Sequence, residues 1–191
     1  SIRSRNLKGM SHIPEDRHKF GLVLDFNLAQ NLALKKYFLE EFHSYGFLKY
    51  DKMAEHATRL IEDFDIRCSK GAETIARSMS GGNQQKAIIA REIDCEAKLL
   101  VAVQPTRGLD VGAVENIHKI IIQERDKNKG VLLVSLELEE VFDVSDRILV
   151  MYNGEIVAEL NPKETTPQEI GLYMIGAKVQ EKFQKNRGEQ A

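Results

Sequence analysis

The chain has 191 residues, 42% hydrophobic and 29% charged, enough for one well-buried core or a core with an attached subdomain. Its formal charge of −2 offers no basic excess to neutralise a phosphate backbone, which argues against bulk nucleic-acid binding. No apolar run approaches the ~20 residues of a membrane-spanning helix, and Cys68 and Cys95 form no Cys-x-x-Cys pair, so they read as reduced, structural thiols.

The chain opens on Ser1-Ile2-Arg3-Ser4 in mid-pattern and is expected to be a piece of a longer polypeptide. Residues 1–26 are mixed and turn-rich, with Ile13 ending a short strand because Pro14 forces extended geometry before it. Asn27 is expected to cap a helix carrying Leu28 and Leu32 and running on through Lys35 towards Leu39. Ser44 to Phe47 reads as a loop. Asp51 is expected to cap the next helix, whose stripe of Met53, Ala57, Leu60, Ile61 and Phe64 belongs to a core. After a polar connector, Cys68 to Ala76, comes Met79-Ser80-Gly81-Gly82-Asn83-Gln84-Gln85-Lys86, running into a helix with Ile89, Ala90 and Ile93 near one face. Residues 27–95 therefore read as a mainly helical unit.

The pattern then changes. Leu99 to Val103 is a short apolar run of the kind found in a parallel strand buried on both faces. A helix from about Ala113 to Lys127 and a second apolar strand, Val131 to Ser135, complete a βαβ crossover. A short acidic helix, Glu137 to Phe142, leads to a hairpin of Ile148–Tyr152 and Glu155–Leu160, joined by the type I′ signal Asn153-Gly154. A helix over Pro167–Ile175 and a charged, fraying tail from Ala177 follow. The expected divisions are 1–26 as the end of a core, 27–95 helical, 96–160 α/β core, and 161–191 a C-terminal helix and tail.

The Ser80-Gly81-Gly82 step carries chemistry. Ser80 can cap the first turn with its oxygen, and two residues without side chains let an anion approach the unpaired N–H groups of a helix N-terminus. The helix dipole favours a phosphate there. For a bare Ser-Gly-Gly, a capped helix after a glycine turn is the better reading. The whole string, however, resembles the signature motif of ATP-binding-cassette (ABC) ATPases, in the form found in sugar and nucleoside importers. Further landmarks follow in the family's order. Leu99-Leu100-Val101-Ala102-Val103-Gln104-Pro105-Thr106-Arg107-Gly108-Leu109-Asp110 resembles the Walker B strand running into the D-loop. Ser145-Asp146-Arg147-Ile148 resembles the stretch beyond the switch strand, and Ile13-Pro14-Glu15-Asp16-Arg17 sits at the Q-loop position. Gly21-Leu22-Val23-Leu24-Asp25 and Glu169-Ile170-Gly171-Leu172-Tyr173-Met174-Ile175-Gly176 point to the C-terminal cassette of tandem importer ATPases, and residues 103–104 to the nucleoside branch.

The resemblance implies a partial P-loop NTPase (RecA-like) α/β core with a helical signature subdomain, and it also exposes departures. There is no Gly-x-x-x-x-Gly-Lys-Ser/Thr loop, which the family carries upstream of this segment. Val103 and Gln104 replace the family's Mg²⁺-holding aspartate and water-polarising glutamate. Leu136 stands at the switch-histidine position, and Glu15 where many relatives have glutamine. The implied role is asymmetric. Ser80, Gly81, Gly82 and Gln84 would serve ATP bound to a partner cassette, the N-terminal half of the same polypeptide, with Asp110 coupling the two sites. ATP and Mg²⁺ belong to the full-length dimeric assembly and none is expected on this segment, which is expected to be inactive alone. Membrane permease subunits would dock near Phe20 to Leu32, an extracellular solute-binding protein would act indirectly, and the assembly would lie peripherally on the cytoplasmic membrane face. The alternative is a non-hydrolysing cassette that only dimerises and transmits conformation. His12, His18, His43, His56 and His118 show no metal-ligand spacing, and Asp143 and Asp146 read as helix-end and turn residues.

Overall fold

The computed structural model describes residues 2–184, which form two compact units divided between Val134 and Ser135. In the first unit a short helix, α1 (Ile2–Leu7), precedes β1 (Met10–Ile13), which stops at Pro14 as expected. Asp16 then accepts the N–H groups of His18 and Lys19 and opens a single π-helical turn, Arg17–Gly21.

Asn27 caps α2 (Leu28–Ala33) through a full capping box with Gln30. The helix stops at Ala33 instead of continuing towards Leu39. Lys36, Leu39 and Phe42 donate to carbonyls three residues back, and these tighter turns bring Phe42 into full burial. The expected loop at 44–47 is a small hairpin, β2 (His43–Ser44) and β3 (Phe47–Leu48), turning through Tyr45 and Gly46 at positive φ. Helix α3 (Tyr50–Asp63) begins before Asp51. Lys49 is its N-cap without a side-chain bond, so Asp51 is not the cap and contributes only its charge to the first turn.

Helix α4 (Gly81–Asp94) is buried from two sides. Ala87 and Ala90 join Leu28, Leu32, Phe42, Met53, Ala57 and Leu60 in one apolar cluster. Ile88 and Ile89 join Ile13, Leu100, Ala102, Ile117 and Ile121 in another. The second cluster includes the sheet, in which β4 (Leu99–Val103) lies between β1 and β5 (Gly130–Val134), all parallel, with α5 (Val111–Asp126) as the β4–β5 crossover. Burial on both faces is corrected to burial on one. Leu100 and Ala102 are enclosed, whereas Leu99, Leu132 and Val134 on the opposite face are 39%, 48% and 47% exposed. An apolar run signals burial without saying how many layers the described residues supply.

The last turn of α4 is an ionic hub. The Asp94 carboxylate accepts from His56 Nε2 at 2.8 Å, Lys36 Nζ at 2.5 Å and Arg59 at 2.6 Å. Glu92, 1% exposed, is bound by Lys35 and Arg91 and by the backbone N–H of His12. Burial pushes the Asp94 carboxyl up, but the bonds from His56, Lys36 and Arg59 outweigh it and hold it well below the usual carboxylate range.

The second unit runs through α6 (Leu138–Val144), β6 (Ile148–Tyr152), β7 (Glu155–Leu160), α7 (Pro167–Met174) and α8 (Glu181–Gln184). Asn153 and Gly154, both at positive φ, make the expected two-residue hairpin. Thr166 caps α7 with Pro167 at its first position. The core holds Ile148, Val150, Val157, Ala158, Ile170 and Tyr173. The expected frayed tail is anchored where it is described. Gln180 bonds through its backbone to Val157 and through its side chain to Glu159, while residues 185–191 lie outside the described residues. Gly176 has a φ of +74°, and a Cβ there would stand 2.4 Å from the Tyr152 ring.

Two stability predictions follow from these contacts. A carboxyl whose folded pKa is depressed gives stability that is complete above its unfolded pKa of about 4 and is lost as pH falls below it. Asp94→Ala should lower unfolding free energy at pH 7 by about 3 kcal/mol and flatten that acid limb, as read by urea titrations at pH 7 and pH 3. Gly176→Ala combines a left-handed backbone with a ring clash and should cost about 2 kcal/mol or more in the same assay.

Candidate functional site

The start of α4 is arranged differently from a side-chain-capped helix. Ser80 is extended at φ −65° and ψ 154°, and its carbonyl accepts the Gln84 N–H at 2.9 Å. Its hydroxyl makes no capping bond to the backbone, which corrects the sequence expectation. Asn83 Nδ2 donates to Ser80 Oγ at 2.9 Å, and Asn83 Oδ1 accepts the Arg67 backbone N–H at 2.8 Å. The N–H groups of Gly81, Gly82 and Asn83 find no acceptor among the described residues, as the first turn of a helix leaves them.

These groups face an open cleft of about 640 Å³, whose opposite wall includes Gly108, Asp110 and Asn116. Asp110 is the N-cap of α5, its Oδ1 accepting the Ala113 N–H at 3.0 Å. The N-terminal ends of α4 and α5 therefore converge on one cleft, and two partial positive charges meet there. Arg67 and Lys86 line it too, Lys86 being held by Asp65 at 2.9 Å. The Lys86 bond holds the Asp65 carboxyl below its ordinary value. A Cβ at Gly82 would meet nothing within 4 Å, so the glycine leaves open the space an anion needs to reach the backbone. At Gly81 the same atom would lie 3.4 Å from the Arg17 guanidinium, which packs against the helix start.

The remaining residues singled out by the sequence divide sharply. Glu15 is ion-paired to Arg107, and the Arg17 guanidinium reaches the Arg107 carbonyl at 3.4 Å, so the segment after β1 is tied to the segment after β4. Gln84 does not line the cleft. It is 4% exposed, donates to the Ala76 carbonyl at 2.9 Å and meets His18 Nε2 at 2.9 Å, so its expected nucleotide contact is replaced by a structural one. Val103 ends β4 beside Val134. Gln104 sits at φ +49°, donating its N–H to Val134 at 2.8 Å and accepting from Arg107 at 3.2 Å. Leu136, in the second unit, is 76% exposed. Of the Phe20–Leu32 segment, Phe20, Val23 and Phe26 are exposed, whereas Leu28 and Leu32 are core. Among the described residues no cluster of three His, Cys, Asp or Glu side chains could hold a metal ion.

Asn83, Arg67 and Asn116 were not singled out from the sequence. Asn83 lay inside the signature string and had a signal; Arg67 and Asn116 reach the cleft only through folding.

No family model matches the chain. It is 52% identical over 174 residues to a nucleoside import ATP-binding protein of Lactococcus lactis subsp. cremoris, covering 91% of this chain and 34% of that protein. It is 51% identical over 178 residues to a guanosine import ATP-binding protein of Bacillus subtilis, covering 93% and 35%. A ribose import ATP-binding protein of Bacillus subtilis is 36% identical over 171 residues, covering 90% and 34%. The chain thus spans about a third of the length of these relatives. Among solved structures, a nucleotide-free ATP-binding cassette from an ABC transporter superposes with a TM-score of 0.69 at 21% identity, covering 90% of this chain and 70% of that one. The dimeric post-hydrolysis state of the cassette MJ0796, bound to ADP and Pi, gives 0.65 at 20%, covering 86% and 67%. At these identities the likeness establishes the fold.

Gln84→Leu keeps the volume but removes the buried bond to the Ala76 carbonyl and the contact with His18 Nε2. It should cost about 1–3 kcal/mol in urea unfolding.

Proposed function

Because the chain belongs to the ATP-binding-cassette family and has its fold, we propose that it is the signature-bearing part of an import ATP-binding protein that completes an ATP site on a partner cassette. One observation carries this reading. Two helix N-termini with free donors line one open cleft, while the hydrolytic positions of this chain hold valine and glutamine.

The donor set of the cleft fits a phosphate. The Ser80 hydroxyl and the N–H groups of Gly81 and Gly82 would hold the terminal phosphate of ATP bound by the partner cassette, the N-terminal half of the same polypeptide. Asp110, at the start of α5, lines the same cleft as these donors, which is the position a residue coupling the two sites would take. Bound there, ATP would supply the hydrolysable bond, and this chain would position its terminal phosphate.

The chain's own hydrolytic positions do not fit Mg²⁺ or a general base. Val103 has no donor atom, and the Gln104 amide cannot take a proton. Loss of a positioned base costs ~10²–10⁴ in rate. ATP and Mg²⁺ would therefore be turned over in the full-length dimeric assembly, at the partner's site. Exposed Phe20, Val23 and Phe26 supply an apolar surface for a membrane permease, through which an extracellular solute-binding protein is coupled indirectly. No helix among the described residues is long and apolar enough to cross a membrane; the proposed place is peripheral, on the cytoplasmic face. The relatives' names point to nucleosides or simple sugars as the solute.

The residues at 103 and 104 also favour a second reading, a cassette that dimerises and transmits conformation without serving ATP. Ser80→Arg in the full-length polypeptide, assembled with its permease, separates the two. Filling the cleft with a long side chain should lower ATP turnover by about 10²-fold or more. Unaltered turnover would leave the conformational reading standing.

A further inference from the structure

Ser80 has one hydroxyl hydrogen, and its direction depends on how the oxygen's acceptor sites are used. In an ordinary N-cap the oxygen accepts a backbone N–H of its own helix and so takes up one of the helix's free main-chain donors. Here the backbone bond is missing and Asn83 takes its place, with Nδ2 2.9 Å from Ser80 Oγ. The orientation of the Asn83 amide is set by its other end. The Arg67 backbone N–H, 2.8 Å away, can only donate, so the atom it meets is oxygen and the NH₂ group faces Ser80. Ser80 Oγ is therefore an acceptor in this contact, and no described residue takes its hydrogen.

We propose that Asn83 is a positioning residue for Ser80: anchored by the Arg67 backbone, it occupies an acceptor site of Ser80 Oγ and so leaves the serine hydroxyl to serve as a donor to the cleft that Ser80 lines. The chemistry served is an anionic oxygen, the terminal phosphate of a nucleoside triphosphate. This inference rests on the cleft reading proposed above. It explains why Ser80 does not cap its own helix. A capping Ser80 would spend lone pairs on the Asn83 N–H and hide a backbone donor that the present arrangement leaves available. It also assigns Arg67 a role carried by its main chain, independent of its guanidinium.

The test is a double-mutant cycle on the full-length polypeptide assembled with its permease, reading kcat/KM for ATP. Asn83→Ala should lower it about three- to tenfold when Ser80 is present and leave it unchanged when residue 80 is alanine, because the effect passes through the hydroxyl. Asn83→Asp keeps the shape and the acceptor for Arg67 but cannot donate. It draws the Ser80 hydrogen onto its own carboxylate and should be worse than Asn83→Ala. ADP lacks the third phosphate of ATP and should bind all variants equally, with melting temperatures of the variants close to the parent's. An equal loss from Asn83→Ala in both backgrounds, wild-type turnover in Asn83→Asp, or a parallel loss of ADP affinity would overturn the proposal while leaving the cleft reading intact. If Ser80→Ala alone leaves turnover unchanged, the cleft reading falls, and the proposal with it. Should Asn83→Ala fold poorly, Asn83→Ser repeats the cycle with a smaller loss of side chain and the same criteria.

Discussion

Helix α4 is packed from both sides, and most of what the first unit can do follows from that. Its alanines face the helical cluster, where small side chains let α2 and α3 approach closely, and its isoleucines face the sheet and α5. Ile88 and Ile89 are essentially inaccessible, and burying such side chains is worth about 1.5–3 kcal/mol each. A helix held this way cannot slide or roll without opening one cluster or the other. Its N-terminus is thereby a fixed point, which an unpacked loop of the same residues would not be.

The polar end of the same helix works in the opposite sense. Glu92 and Asp94 gather Lys35, Lys36, His56, Arg59 and Arg91, and a buried charge left without its partners would be strongly destabilising. This hub ties the turns after α2, the face of α3 and the strand β1 to the last turn of α4. The helix is therefore anchored by charge at its C-terminal end and by apolar packing along its length. Among the described residues the N–H groups of its first turn find no acceptor, and the residues that carry them line the cleft.

How much of this was legible follows the range of the interactions. β4, β6 and β7 were read to the residue because short apolar runs ended by turn residues need only local chemistry. Asn27 was recognisable as a cap because Gln30, its partner in the box, is three residues away. Asp51 is not the cap because helix starts compete over one or two positions, and α3 begins one residue earlier, at Tyr50, behind an uncapped Lys49. Burial of the sheet on both faces was overestimated from hydrophobicity alone. The partners of Gln84 and Ser80 depend in part on other segments. The amide of Gln84 is claimed by Ala76 and His18, and the hydroxyl of Ser80 by an asparagine that is itself fixed by Arg67, from another segment.

On the proposed reading, the same division explains how a phosphate-binding surface can stand beside a Val103 and Gln104 that carry no carboxylate. The cleft is built from the first turns of α4 and α5, whose donors are main-chain N–H groups and one hydroxyl. Positions 103 and 104 contribute to the fold through their backbones. Val103 pairs in the ladder with Val134, and Gln104 turns the chain at positive φ with bonds from its own N–H and to its own carbonyl. Neither arrangement depends on a carboxylate at those positions, so exchanging the side chains leaves the strand end in place and with it the path of the chain to Asp110. A Cβ added at Gly82, by contrast, would meet nothing within 4 Å and would stand in space that the glycine leaves open. A chain of this design can exchange side chains at the end of β4 and still present the same main-chain donors at the start of α4.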